Sequence, residues 1–511
     1  MIEAIGSGLA QLLQWETLGL MVVGILVGFL VGVLPGLGGA VAIALLLPFT
    51  FVMEPVQGLA FLLSMWIVTT TSGDITSVLF GIPGEATSAA AVLDGYPMTK
   101  RGQGGRALAM VLMSSAVGIV FGAVVLGLFV TIIRPLVLLI GPPEFFMLAL
   151  VGLSFVVSLA GKSPGKGLIM VALGLLVSYI GIDPTYGVAR FDFGQLYLWS
   201  GIALVPVVVG LFGGAEVLQL MLSRSSIAAP SLGGAKLSGV RAGLAVPFRH
   251  WWLMIRTSAI GVAVGLLPGL GGTVAQWIAY GHARQTSKDP EKFGKGADDG
   301  LIAAGAVGVA KDAGSLIPTI AFGIPSGAAT AVLLGGFLIL GINPGKEMLE
   351  DKLDVTFSMA WTVIIAGLLG IVLALLLARP LAALTKINGA VMTPVLLLFL
   401  IVGAYTASNN WGDLFVMLGS AALGVVCLRW DWPRVPFLLA LVLGPLIEQY
   451  LNLSLTIFGA EWLVRPGVLI LAVVVLGVVG FGIRFARKQG ESDAAPVGVG
   501  TRVIRTLGKK K

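Results

Sequence analysis

Leu34-Pro35-Gly36-Leu37-Gly38-Gly39 returns letter for letter as Leu267-Pro268-Gly269-Leu270-Gly271-Gly272, 233 residues further on (34 to 267). A second pair follows in the same order. Phe80-Gly81-Ile82-Pro83-Gly84-Glu85-Ala86-Thr87 has its counterpart in Phe322-Gly323-Ile324-Pro325-Ser326-Gly327-Ala328-Ala329, 242 residues on (80 to 322). One short Gly/Pro motif in an apolar chain says little, but two repeated in order indicate duplication. Proline removes a helical donor and clashes with the preceding turn; glycine permits positive φ and close backbone approach. Each motif therefore breaks a helix.

The surroundings of these motifs set the solvent. Of 511 residues, 57% are hydrophobic and 11% charged, and mean hydropathy is +1.00. Ordinary soluble domains are about one-quarter charged, so this surface faces the bilayer. Spanning structures are helices or closed barrels. Barrel strands alternate in polarity over roughly ten residues, whereas this chain has unbroken apolar runs at 108–133, 357–378 and 468–483. The expected fold is an all-α polytopic membrane protein. At ~20 residues per crossing it holds roughly 12 transmembrane segments, arranged as two inverted repeats with broken or re-entrant helices.

Charge supplies the topology. Residues 223–256 carry Arg224, Lys236, Arg241, Arg249 and Arg256 and no acid, which marks a cytoplasmic linker. It separates a first repeat (1–222) from a second repeat with terminal helices (257–483). A basic tail (484–511) follows on the same side. Lys100, Arg101 and Arg106 follow the first Ile-Pro motif, whereas Glu347, Glu350, Asp351 and Asp354 stand against Lys346 and Lys352 after the second. Equivalent points with opposite bias are what inverted repeats require. The first basic residue is Lys100, so no charged leader segment is expected.

Backbone groups freed by broken helices must line a cavity or pack on protein. Helix amino termini there favour anions, and freed carbonyls can ligate sodium. The candidate substrate-binding residues are therefore Pro35, Gly36, Gly38, Gly39, Pro83, Gly84, Pro268, Gly269, Gly271, Gly272 and Pro325. The hydroxylated neighbours Ser72, Thr87, Ser326 and Thr330 join them. Asp74, Lys311 and Asp312 complete the set, because intramembrane charge is costly and marks function by default; Glu85 also sits at membrane depth. Asp74 and Lys311 could pair with each other, or Lys311 could hold a substrate carboxylate. Coupling sodium would sit at backbone carbonyls near Gly38 and Gly271. Packing through small residues explains an isolated glycine, but not paired, repeated clusters.

Enzyme classes find no support. There is no phosphate-binding Gly-x-x-x-x-Gly-Lys-Ser/Thr run and no His-Glu-x-x-His, and Gly102-Gln103-Gly104-Gly105 lacks a βαβ setting. Cys427 is the single cysteine, and His250 and His282 lie beside basic loops. No catalytic residue or cofactor is expected, and no nucleic-acid partner.

At these motifs the chain resembles the large membrane subunit of the tripartite tricarboxylate transporters, nearly end to end. The resemblance includes Asp94-Gly95-Tyr96-Pro97-Met98, Tyr280-Gly281, Phe293-Gly294-Lys295-Gly296, Gly403-Ala404-Tyr405 and Gly444-Pro445-Leu446-Ile447-Glu448. It implies a bacterial inner-membrane permease importing carboxylates with Na+ or H+ coupling and an elevator-like movement. A small transmembrane subunit and a periplasmic solute-binding protein are the implied partners. Three stretches depart from the family pattern: Thr71-Ser72-Gly73-Asp74, Lys311-Asp312 and Glu448-Gln449-Tyr450-Leu451-Asn452. The first two flank the expected site, so citrate does not follow as substrate. A membrane scaffold or sensor that kept the fold and lost transport is the alternative.

Overall fold

The structure is a computed structural model that describes residues 1–34, 38–138, 140–158, 164–183, 187–223, 239–268, 271–384, 389–406 and 408–494. The first repeat opens with α1 (Ile2–Leu12), α2 (Trp15–Val33), α3 (Gly39–Leu46), α4 (Pro55–Phe80), α5 (Ala89–Lys100) and α6 (Gly104–Leu138). It continues through α7 (Pro142–Ser158), α8 (Pro164–Ser178), α9 (Leu204–Val208) and α10 (Ala215–Ser223), the last two joined by a π-helical turn at Val209–Gly214. The second repeat runs through α11 (Val240–Arg249), α12 (Trp251–Gly265), α13 (Gly271–Thr286), α14 (Asp298–Phe322), α15 (Ala328–Ile339), α16 (Lys346–Leu349) and α17 (Leu353–Leu384). It ends with α18 (Gly389–Thr406), α19 (Gly412–Arg429), α20 (Val435–Phe458) and α21 (Pro466–Ala494). The strands described are a two-residue antiparallel pair, Gly181–Ile182 with Ala189–Arg190.

Among the described residues seven helices are long and apolar enough to cross a membrane, and eight more are apolar but shorter. Several short ones are short because a Gly/Pro motif stops them. The segment 223–256 contains α11 and the start of α12; Arg224 and Lys236 lie outside the described residues. α11 rests on α6 as α1 rests on α17, so α1 and α11 are repeat counterparts.

Two of the seven long helices, α4 and α14, are wholly enclosed by protein. α4 starts at a capping box between Glu54 and Gln57 with Pro55 in its first turn. Gly81 and Gly323 end α4 and α14 in the left-handed conformation, with φ of 70° and 66°, which glycine adopts without steric cost. α2 runs parallel to α4: Gly24 lies on Phe61 and Ser64, Gly28 on Met65, Gly32 on Thr69 and Ser72. α12 lies on α14 in the same way, Gly261 against Val307 and Gly265 against Lys311 and Ser315. Small residues permit this approach where lipid offers no hydrophobic drive.

The halves are interlaced. α6 packs on α14 through Gly118 and Gly122, which face Ala306, Ala310 and Ala313, and α17 packs on α4. Farther out, α20 of the second half packs on α7 and α8, while α9 and α10 of the first half pack on α18 and α19. Thr70 Oγ1 donates to Asp312 Oδ2 at 2.9 Å. These two residues are repeat counterparts, so the pseudo-twofold axis passes between them and α4 and α14 run antiparallel.

Asp94 fastens the two inner layers together. Its Oδ1 accepts from the amides of Gly296 (2.7 Å) and Ala297 (2.8 Å), and its Oδ2 from the Tyr280 hydroxyl at 2.8 Å. A carboxylate of the first half thus caps the positive amino terminus of α14 in the second. Arg106 with Asp298 (2.5 Å) and Arg101 with the Lys295 carbonyl (2.6 Å) extend the seam. Asp94→Ala strands two buried donors and a part-buried one and should cost roughly 3 kcal/mol, read as a lowered melting midpoint of the detergent-extracted protein. An unchanged midpoint would contradict this role.

Candidate solute site at the helix breaks

Because α2 parallels α4, the gap after α2 arrives at the depth of Ser72. After Gly81 the chain turns back into the protein before α5 begins, and Glu85 reaches Gly73 and Gly38. Ser88 Oγ holds this reversal by donating to the Glu85 carbonyl (2.8 Å), and it bonds Ser77 Oγ at 2.8 Å. The second half repeats the arrangement: α13 begins where Gly272 meets Lys311 and Thr87, and Ser326 follows the turn at Gly323. Gln276 of α13 accepts from the Ala90 amide at 3.1 Å, tying one half's break to the other's helix. The described residues flanking all four breaks therefore meet around the Thr70–Asp312 axis.

A cavity of about 800 Å³ lies at this junction. Gly38, Pro83, Gly84, Thr87, Gly272, Lys311, Asp312, Ser326 and Thr330 line it. Gly39, Ser72, Asp74 and Pro325 sit behind its wall, and Pro268 and Gly271 lead into α13. Pro35, Gly36 and Gly269 lie outside the described residues. Ser72 Oγ donates to the carbonyls of Gly28 (3.3 Å) and Thr69 (3.2 Å), a helix-packing contact. Gly39 abuts the Trp66 ring. Thr330 Oγ1 exchanges hydrogen bonds with the Gly327 backbone and opens α15.

The charged groups divide in a way the residue pattern left open. Lys311 Nζ pairs with the adjacent Asp312 Oδ1 at 2.5 Å rather than with Asp74. Asp312 is then fully engaged, since its other oxygen takes the Thr70 hydroxyl. Glu85 faces the Gly39 amide and the Thr87 hydroxyl. Glu85 Oε2, Asp74 Oδ1 and Ser326 Oγ are buried without a hydrogen-bond partner among the described residues. Buried polar atoms are nearly always partnered; the two carboxylate oxygens can accept a hydrogen bond, and the Ser326 hydroxyl can donate or accept one. Asp74, Glu85 and Asp312 set three carboxylates against one ammonium. No group of three or more His, Cys, Asp or Glu side chains among the described residues could hold a metal ion.

Two features escaped the residue pattern. Trp66 and Phe212 supply aromatic wall, and an ion pair between Glu216 and Arg434 lines the cavity as well. Both charges lie near helix ends, where sequence alone reads them as topology signals.

These observations define a polytopic helical membrane protein built on inverted repeats, with a solute-sized cavity where its helix breaks meet. The family model "Tripartite tricarboxylate transporter TctA family" matches residues 18–439. The chain belongs to this family: it is a multi-pass membrane subunit of a tripartite transport system, in a family of transporters and not of enzymes. It is 33% identical over 446 residues to an "uncharacterized 52.8 kDa protein in TAR-I ttuC' 3'region" of Agrobacterium vitis, covering 86% of this chain and 88% of that one. An "uncharacterized protein in TAR-II ttuC' 3'region" of the same organism is 31% identical over 197 residues, 39% of this chain and 81% of the relative. No solved structure matches the fold.

The glycines of the breaks differ in what they can tolerate. A Cβ at Gly84 would lie 2.5 Å from the Gly32 carbonyl and 2.6 Å from Gly73 Cα and Thr76 Oγ1, while one at Gly327 meets nothing within 4 Å. Gly84→Ala should cost ~1–3 kcal/mol or more through overpacking and lower the yield of folded, monodisperse protein. Gly327→Ala should match the parent in yield and melting midpoint. Equal behaviour of the two variants would contradict the packing at this break.

Proposed function

We propose that this chain is the permease of an ion-coupled secondary transporter that imports a carboxylate-type solute across the bacterial inner membrane. The observation that carries the reading is the convergence of four helix breaks on one cavity holding Lys311, the cation nearest the axis. Broken helices at corresponding points of two repeats are how secondary transporters build midplane sites. An ammonium in a low-dielectric cavity recognises a carboxylate strongly.

Coupling to Na+ or H+ fits the electrostatics of the same place. Three carboxylates with one ammonium leave a deficit of positive charge at membrane depth, where unbalanced charge is costly. A cation entering with the solute would relieve it. Sodium would be held by backbone carbonyls near Gly38 and Gly271, a proton by one of the carboxylates.

An elevator-like movement fits the layering. Asp94 and its neighbours join the broken helices into one inner body, and α7–α10 with α18–α21 form an outer one. The cavity reaches Glu216 and the start of α20, on the side that carries Arg106, Arg241 and Arg249. By the positive-inside rule that side is the cytoplasm, so this arrangement is the inward-facing one. A periplasmic solute-binding protein would deliver the solute from the other face, with a small transmembrane subunit completing the assembly.

In proteoliposomes holding the complete system, an imposed sodium or proton gradient should drive carboxylate accumulation. A transport-inactive scaffold would accumulate none under either gradient. Lys311→Ala should lower uptake at least about tenfold, since a charge-assisted bond contributes ~1.5–3 kcal/mol. Asp74→Ala and Ser326→Ala should also lower uptake, with membrane insertion intact in all three. Parental uptake in all three would remove the site assignment.

A further inference from the structure

Among the residues lining the cavity, Lys311 and Arg434 are the cations. Lys311 belongs to α14 in the inner body; Arg434 precedes α20 in the outer one. The Arg434 guanidinium is positioned from three directions by the first half of the chain. Nη2 meets Glu216 Oε1 at 3.1 Å, Nη1 donates to the Leu211 carbonyl at 3.1 Å, and the Phe212 ring centroid lies 5.0 Å from Cζ. Pro433 and Pro436 bracket its backbone and restrict it.

The two cations are not equally available. The Lys311 and Asp312 side chains are 9% and 2% exposed, and Thr70 closes the far oxygen of Asp312. Arg434 and Glu216 are each 18% exposed and meet through a single nitrogen and a single oxygen. Guanidinium geometry suits two parallel bonds to one carboxylate. A carboxylate arriving from the cavity could therefore make a better contact with Arg434 than Glu216 does. The exchange conserves charge at the guanidinium, and Glu216 keeps access to water.

We infer that Arg434 is a second carboxylate-binding residue, which trades Glu216 for one end of a solute whose other carboxylate is held at Lys311. This rests on the carboxylate reading of the cavity and concerns solutes with at least two carboxylates. A four- to six-carbon diacid or triacid fits comfortably in about 800 Å³. The residue would also bind solute differently in each state of the cycle, because it sits on the outer body while Lys311 travels with the inner one.

The test is uptake of radiolabelled succinate, malate and citrate, with butyrate and 3-hydroxybutyrate as matched monocarboxylates, in cells expressing the complete system. Arg434→Gln should raise the half-saturation concentration for the multivalent acids at least about tenfold, the loss of one charge-assisted contact, and change that for the monocarboxylates less than about twofold. Arg434→Lys should recover part of the loss, and Glu216→Gln should lower half-saturation for the multivalent acids alone. Equal effects of Arg434→Gln on both classes would mean a cross-link between helices and overturn the inference, as would no effect on either. If Arg434→Gln fails to insert, Glu216→Gln decides: a change confined to the multivalent acids supports the subsite, and no change overturns it. Wild-type uptake of none of the five acids overturns the carboxylate function itself. Wild-type uptake without preference for the multivalent acids leaves that function standing and overturns the subsite.

Discussion

An amide or carbonyl released from a helix inside hydrocarbon finds no water, and leaving it unpaired costs several kcal/mol. This chain breaks its helices at four places, so everything around those places has to supply partners. α4 and α14 are buried along their length because they carry the broken ends. Glycines on α2 and α12 bring backbone close enough to receive them, and serine and threonine hydroxyls complete the pairing. The interlacing of the halves follows from the same constraint. Each half covers part of the other's exposed backbone, as Gln276 does at Ala90 and Asp94 at the start of α14.

Some of the buried polar atoms left unpaired lie at the cavity. Glu85, Asp74 and Ser326 keep acceptors without partners among the described residues, at the level where Lys311 and Asp312 meet Thr70. Glu85 and Ser326 line a space of solute size, and Asp74 lies just behind its wall. The membrane makes an imbalance of charge there expensive, and an entering cation would relieve it.

Membrane class, duplication, inversion and helix breaks were legible in the residues, because glycine and proline act locally and hydropathy is additive. The interlacing of α6 with α14 and of α20 with α7 and α8 was not, since apolar faces toward lipid and toward protein have the same composition. The described motif glycines and prolines lie at or beside the cavity, but sequence distance said little about depth. Asp74 lies behind the wall, whereas Glu85, left out of the candidate set, lines it. Glu216 and Arg434 were invisible for a different reason. A charge near the end of a span reads as a topology signal, and only packing reveals that these ends border the cavity. Asp94 belongs to a motif that carries the family resemblance, and its hydrogen bonds assign it to holding the inner body together.

The central claim is that the converging breaks form the solute site, and Ser326 probes it directly. Cys427 is buried and is the chain's single cysteine, so Cys427→Ser provides a thiol-free background for Ser326→Cys. The measurement is the rate at which a membrane-impermeant methanethiosulfonate reagent modifies that cysteine in inside-out vesicles, with and without a transported carboxylate. Modification from the cytoplasmic face should slow as carboxylate is added, saturating with the same half-concentration as uptake. Modification at a rate indifferent to every transported carboxylate would contradict the central claim.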